Sequence, residues 1–135
     1  MEGTQDAAIG VVTARSRYPV PETVDRLAAA ARMAGNTIFA RIDHAANAAA
    51  AGLTMPPTQV LIFGNGAAGT PLMLASPLVA LDLPLRFLVW QADDGETRIA
   101  WSDPLYYAAR YALKGHEPQL AAMGRALAGF VASLA

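Results

Sequence analysis

The stretch Val60–Gly69, VLIFGNGAAG, decides how this sequence folds. Four apolar residues typical of a strand run into a Gly-x-Gly-x-x-Gly pattern, which forms the phosphate-binding turn of dinucleotide-binding proteins. That turn has to open a full helix and to precede a second strand that ends in an acidic residue. Here Pro77 ends the helix after about two turns, and Asp82 comes before the next strand instead of ending it. We therefore predict a glycine loop after an internal strand, which permits positive φ and close backbone approach, and no nicotinamide or flavin cofactor.

The residues on either side of this stretch predict an alternation of strands and helices, read from apolar spacing and from proline, aspartate and glycine at element ends. The predicted strands are 9–14, 36–42, 59–63, 85–91 and 97–101. The predicted helices are 21–35, 43–51, about 70–76, 103–113 and 117–135. This order favours a two-layer α+β fold, with a mixed or largely antiparallel sheet and helices packed mainly on one face. Because no linker divides the chain, residues 1–135 are predicted to form a single domain.

The composition favours self-association. Apolar residues make up 54% of the chain and charged residues 16%, which leaves little polar cover for a small soluble monomer. Alanine accounts for part of the excess. In the last predicted helix Leu120, Leu127 and Leu134 share one face. We expect a homodimer across a sheet edge or a helix face.

Several classes of protein are disfavoured by the same composition. The net charge is −1 without a basic block, so we expect no nucleic-acid partner. Prolines and charges interrupt the apolar segment 72–90, which argues against a membrane span, and no cysteine is present to serve as a nucleophile or metal ligand. Met1–Asp6 has no basic segment leading into an apolar run, so we expect no signal peptide and a cytoplasmic location.

Five short motifs, in order along the chain, carry a family resemblance. They are Ile42-Asp43-His44-Ala45, Ala51-Gly52-Leu53, Phe63-Gly64-Asn65, Gly69-Thr70-Pro71-Leu72-Met73 and Leu81-Asp82-Leu83-Pro84. Together they resemble the family called domain of unknown function 302, over roughly residues 11–113. The resemblance implies a small α+β domain, found mainly in bacteria and archaea, that tends to pair as a dimer. It implies no established activity, substrate or cofactor. Gly66 departs from the family pattern, which commonly has proline there.

His44, Asp43 and Asn65 are the candidate ligand-binding residues. Asp43 is predicted to cap the helix that begins at His44, and a neutral imidazole could bind a ligand, hold a metal or accept a proton. Alternatively, His44 fixes the corner between strand and helix through a backbone carbonyl. Asn65 either contacts a ligand or bonds within its own turn. Since His44 and Asn65 each follow a strand end, we expect them to face one crevice. The other histidine, His116, has no metal-motif spacing, so no metal site is predicted.

The residues leave three functions open. The first is a non-enzymatic, homodimeric domain that binds a small ligand or serves as an accessory module, with its pocket near His44 and Asn65. The second is a small enzyme that uses His44 as general base or nucleophile. The third is a protein-interaction module in which the motifs are purely architectural. No motif in the sequence names a reaction.

Overall fold

The computed structural model describes residues 8–135 and contains one five-stranded sheet. The prediction for Met1–Asp6 lies outside the described residues. The strands are β1 (Val11–Ser16), β2 (Thr37–Asp43), β3 (Thr58–Gly64), β4 (Leu85–Gln91) and β5 (Thr97–Ser102). They lie in the order β1-β5-β4-β3-β2, and every neighbouring pair is antiparallel. The predicted α+β fold is confirmed, and the sheet is antiparallel throughout.

The helices pack mainly on one face of this sheet. They are α1 (Val20–Met33), α2 (His44–Ala50), α3 (Gly66–Ala75), α4 (Tyr106–Arg110) and α5 (Glu117–Ala132), with a 3₁₀ helix at Pro77–Asp82. Pro21 lies in the first turn of α1, where its missing N–H costs no hydrogen bond. The Asp43 carboxylate accepts a hydrogen bond from Ala46 N at 2.9 Å and so caps α2, as predicted.

The main core lies between the sheet and the pair α1 and α5. Its buried side chains include Val24, Leu27, Leu61, Phe63, Phe87, Val89, Ile99, Leu127 and Leu134. Phe63 and Phe87 stack with their ring centroids 5.2 Å apart, a favourable aromatic arrangement. The three leucines expected to share a face of the last helix are all buried within the chain: Leu127 and Leu134 in this core and Leu120 in a second cluster, with Leu134 just beyond the end of α5. They therefore form no free surface, and the part of the dimer argument that rested on them is wrong.

A second cluster closes the end of the sheet beyond the start of β4. Its buried members are Leu72, Val79, Tyr107, Tyr111, Leu113 and Leu120, which join α3, the 3₁₀ helix, α4 and α5. The Tyr111 hydroxyl donates a hydrogen bond to the Asp82 carboxylate, and Arg110 Nη1 lies 3.2 Å from the same carboxylate. These polar contacts tie α4 to the 3₁₀ helix.

Most observed elements begin or end a few residues away from the predicted bounds, and three of these differences have a local cause. The first strand begins at Val11, since Gly10 before it has a φ of 73°. The helix predicted for 103–113 is confined to Tyr106–Arg110. Ala112 beyond it has a φ of 53°, which is incompatible with a right-handed α-helix. The helix predicted from about residue 70 begins at Gly66, because Asn65 caps it and outweighs the signal of Pro71, which lies inside the helix.

Candidate ligand-binding cavity

A cavity of about 400 Å³ lies beside the helix-covered side of the sheet, between α5 and α3. The ends of β3 and α1 and the starts of β2 and β4 complete its wall. The lining residues are Ala34, Asn36, Phe39, Phe63, Gly64, Asn65, Gly66, Ala68, Gly69, Met73, Ala80, Leu83, Pro84, Leu85, Met123, Ala126, Leu127 and Phe130. A space of this size falls within the range of small-molecule sites, which runs from about 300 to 1,000 Å³.

Glycines at one wall keep this space open. A Cβ added at Gly66 would meet no atom within 4 Å, and one added at Gly69 would lie 3.8 Å from Leu83 Cδ1. At Gly64, by contrast, a Cβ would lie 3.3 Å from Pro84 Cβ. The predicted close backbone approach therefore holds at Gly64. The predicted positive φ is wrong, since none of these three glycines has one. Gly66 and Gly69 belong to α3, so they form a helix start and not a loop.

A β-bulge brings an aromatic side chain to the rim of the cavity. The pairing of β2 with β3 shifts register between Ile38 and Ala40, which makes Phe39 the extra residue. Phe39 Cε2 lies 3.6 Å from the Cβ position of Gly64, and the side chain lines the cavity. Phe130, which also lines the cavity, packs edge-on against Phe63, with ring centroids 6.4 Å apart.

The chemistry of the wall is apolar and uncharged. Among residues 8–135, none of the lining residues carries an ionisable side chain, and none carries a hydroxyl group. Met73 and Met123 contribute flexible thioether chains that adapt to irregular ligands. Of the described residues, Asn36 and Asn65 are the only ones that line the cavity with polar side chains.

Each of the two asparagine side chains uses one of its two amide atoms in a hydrogen bond within the chain. Asn65 Oδ1 accepts a hydrogen bond from Ala67 N at 2.8 Å and so caps α3. Asn36 Nδ2 donates to Ala31 O at 3.1 Å. These contacts fix both amide orientations. Within residues 8–135 they leave Asn65 Nδ2 without an acceptor and Asn36 Oδ1 without a donor.

His44 and Asp43 lie at the other end of the sheet from Asn65. Because β2 and β3 are antiparallel, Asp43 pairs with Gln59 at the start of β3, whereas Thr37 pairs with Gly64 at its end. The five-residue separation along β3 corresponds to about 17 Å. The expected common crevice is therefore wrong, since it required the two strand ends to be neighbours. Asn65 lines the cavity and His44 does not.

The surroundings of the two histidines do not indicate a catalytic or metal site within the described residues. His44 is exposed at the first turn of α2 and makes no side-chain hydrogen bond within the described part of the chain. His116 Nδ1 lies 2.8 Å from Gln119 Oε1 at the start of α5. Among residues 8–135, no three His, Asp or Glu side chains come close enough to hold a metal ion. That His44 or Asp43 binds a ligand stays a prediction.

Two tyrosines with perturbed acidity lie outside the cavity, in the second cluster. Burial raises the pKa of Tyr107. The hydrogen bond to the Asp82 carboxylate is the main cause that raises the pKa of Tyr111. Both phenols therefore stay protonated at neutral pH, where that of Tyr111 acts as a donor that anchors the 3₁₀ helix.

Comparison with known proteins places the chain in a family. Residues 12–134 match the family described as domain of unknown function DUF302, and the chain belongs to it. The match includes α5, which the sequence resemblance had left out. The crystal structure of an uncharacterised conserved DUF302 protein from Bacillus stearothermophilus has the same fold, with a TM-score of 0.85 and 19% identity over 95% of this chain and all of that one.

Curated relatives with higher identity are longer proteins. Proteins named fluoride-specific ion channel FluC 1, from Brucella suis and Brucella abortus, are each 44% identical over 104 residues, or 77% of this chain. The match spans 41% of the first and 38% of the second, so it covers about two fifths of each relative. Within residues 8–135, no helix has both the length and the apolar character that a bilayer crossing requires.

Proposed function

We propose that this DUF302 domain is a small-molecule-binding module and that the cavity between α3 and α5 is its site. The observation that carries the proposal is an apolar space of about 400 Å³ whose wall contains two incompletely bonded amides. A ligand there would exchange water for contact with aromatic and thioether groups, which favours binding by about 25 cal/mol per Å² of apolar surface.

The same wall favours binding over catalysis. Acid–base and nucleophilic catalysis need an ionisable or hydroxyl group within hydrogen-bond reach of the reacting atoms. The part of the chain that the structure describes places neither in the cavity wall, and His44, the candidate base, lies at the opposite end of β2 and β3. The enzyme alternative would need a site other than this cavity, and His44 is exposed at the start of α2.

A second candidate role is as an accessory part of a larger ion-transport assembly. It is favoured by the identity of 44% to a portion of the proteins named fluoride-specific ion channels. In this role the chain would bind a channel subunit that lacks the domain. Co-expression of the two chains and purification through the channel subunit tests it: a stable complex supports the role, and recovery of the channel alone argues against it.

The proposed module is a homodimer. The support is the high apolar fraction together with leucines that stay exposed on α3 and the 3₁₀ helix, Leu74, Leu78 and Leu81. Native mass spectrometry of the purified protein measures the oligomer and any retained ligand in one experiment. A dimer with added mass that is lost on denaturation supports both parts of the proposal.

The binding site itself is tested by filling it. N-phenyl-1-naphthylamine, an uncharged dye that fluoresces in apolar surroundings, serves as the probe. Ala126 lines the cavity from α5, whereas Ala122 is exposed on the same helix outside it. We expect Ala126→Phe to reduce dye binding at least tenfold and Ala122→Phe to leave it unchanged. Equal binding by both variants and the parent protein, all shown to be folded, would contradict the proposal.

A further inference from the structure

We infer that the ligand of this cavity is an uncharged amphiphile, with an apolar body and one terminal group that both accepts and donates a hydrogen bond, as a primary carboxamide does. This inference rests on the proposed function and names the class of molecule that the site takes. The apolar body would lie against Phe63, Met123 and Phe130, and the polar end would lie at Asn36 and Asn65.

The polar atoms at the rim define the head group. Asn65 Nδ2 is a donor without an acceptor among the described residues, and Asn36 Oδ1 is an acceptor without a donor there. Asn65 Nδ2 lies 4.0 Å from the Cβ position of Gly35, the residue next to Asn36, so both amides are at one end of the cavity. A carboxamide can accept a hydrogen bond from Asn65 Nδ2 through its carbonyl oxygen and donate one to Asn36 Oδ1 through its N–H.

A charged head group fits this end poorly. Within residues 8–135 no cationic side chain lines the cavity, so a carboxylate gains no ion pair there. Asn65 is exposed and Asn36 half-buried, so the head group keeps part of its hydration, and the loss of the rest is a cost that falls on a charged group more than on a neutral one. The start of α3 offers little compensation, since its first N–H groups are largely bonded already. Ala67 N donates to Asn65 Oδ1, and the N–H groups of Ala68 and Gly69 both point to Asn65 O at 3.0 Å.

Three probes of similar shape separate the possibilities. They are 4-phenylbutanamide, 4-phenylbutanoate and pentylbenzene, which share a phenyl ring on a short chain and differ in the terminal group. Their dissociation constants are measured by NMR titration of the ¹⁵N-labelled protein at neutral pH. We expect the amide to bind at least tenfold more tightly than the carboxylate, since only the carboxylate brings a charge into an uncharged wall.

The decisive variant is Asn65→Asp. Aspartate caps a helix as well as asparagine does, so α3 keeps its cap, while the Nδ2 donor is replaced by an acceptor. We expect the amide to bind about tenfold more weakly, and pentylbenzene to change less than about twofold. Asn47→Asp is the matched control, because it adds the same charge at an exposed position of α2 outside the cavity. It should change neither constant.

The outcomes separate this inference from the proposed function. If pentylbenzene and the amide both bind and Asn65→Asp weakens them equally or not at all, the head-group assignment is overturned while the cavity remains a binding site. If the carboxylate binds more tightly than the amide, the assignment is overturned as well. If none of the three probes binds, the proposed function fails and the inference fails with it. Selective loss of amide binding in Asn65→Asp supports both.

Discussion

Asn65 Oδ1 accepts a hydrogen bond from the backbone N–H of Ala67 at 2.8 Å, and this contact starts α3 directly at the end of β3. Because an N-cap supplies an acceptor to an otherwise unpaired N–H, we expect Asn65→Ala to lower the free energy of unfolding by about 1 kcal/mol. Asn65→Asp should keep the free energy of unfolding within a few tenths of a kcal/mol of the parent protein's, because aspartate is an equally good N-cap. Urea denaturation measures both, and equal stability of the alanine variant would show that the cap does not stabilise α3.

Two glycines of the same segment should respond in opposite ways to alanine. Gly69 lies in α3 with room for a Cβ, so Gly69→Ala should raise the free energy of unfolding by up to about 1 kcal/mol. At Gly64 a Cβ would lie 3.3 Å from Pro84 Cβ, so Gly64→Ala should destabilise the fold. Thermal unfolding of the two variants side by side tests this, and a shift of the same sign in both would contradict it.

Stability should fall in alkaline solution. Burial for Tyr107 and the hydrogen bond to Asp82 for Tyr111 raise the pKa of each phenol above 10.0 in the folded state. A group with a raised folded-state pKa contributes stability that is complete below its unfolded pKa and is lost as the pH rises through the folded value. We expect the free energy of unfolding to decrease above pH 10.0. Urea denaturation on both sides of that pH should show a shallower decrease for Tyr111→Phe, and an unchanged slope would rule out this origin.

Association should depend on the exposed leucines next to the cavity. Leu78 and Leu81 are 66% and 71% exposed, and their spacing places them on one side of the 3₁₀ helix. The double change Leu78→Lys and Leu81→Lys should convert the expected dimer to a monomer without unfolding it. Leu53→Lys, at a residue that is 67% exposed elsewhere, is the control. Sedimentation over a range of concentrations decides, and a parent protein that is monomeric throughout would contradict the prediction.

Local signals in the sequence were sufficient for most of the fold. Proline at the start of α1 and Asp43 before α2 mark element ends through short-range interactions, and these helix starts are predicted to within one residue. The start of α3 was placed too late because two local signals competed. The cap at Asn65 prevailed over Pro71, which the helix accommodates in its interior.

The site depended on information that local patterns do not contain. Whether two strand ends are neighbours depends on whether the strands run parallel or antiparallel, so grouping His44 with Asn65 was an assumption about topology. The wall that α5 contributes, with Met123, Ala126 and Phe130, is set by how the helix docks. One signal for the cavity is present in the sequence, the run of small residues Gly66-Ala67-Ala68-Gly69. The glycine pattern predicts a turn there, whereas these residues form the first turn of α3 and leave space beside it.

The most direct test of the central claim maps where 4-phenylbutanamide binds. In a ¹H–¹⁵N NMR titration, we expect saturable shifts at Gly66, Gly69 and the α5 residues Met123 and Phe130, all of which line the cavity. His44→Ala should leave the dissociation constant unchanged, since His44 lies at the far end of the β2–β3 pair. Saturable shifts confined to α2, with binding lost in His44→Ala, would contradict the assignment of the cavity as the site.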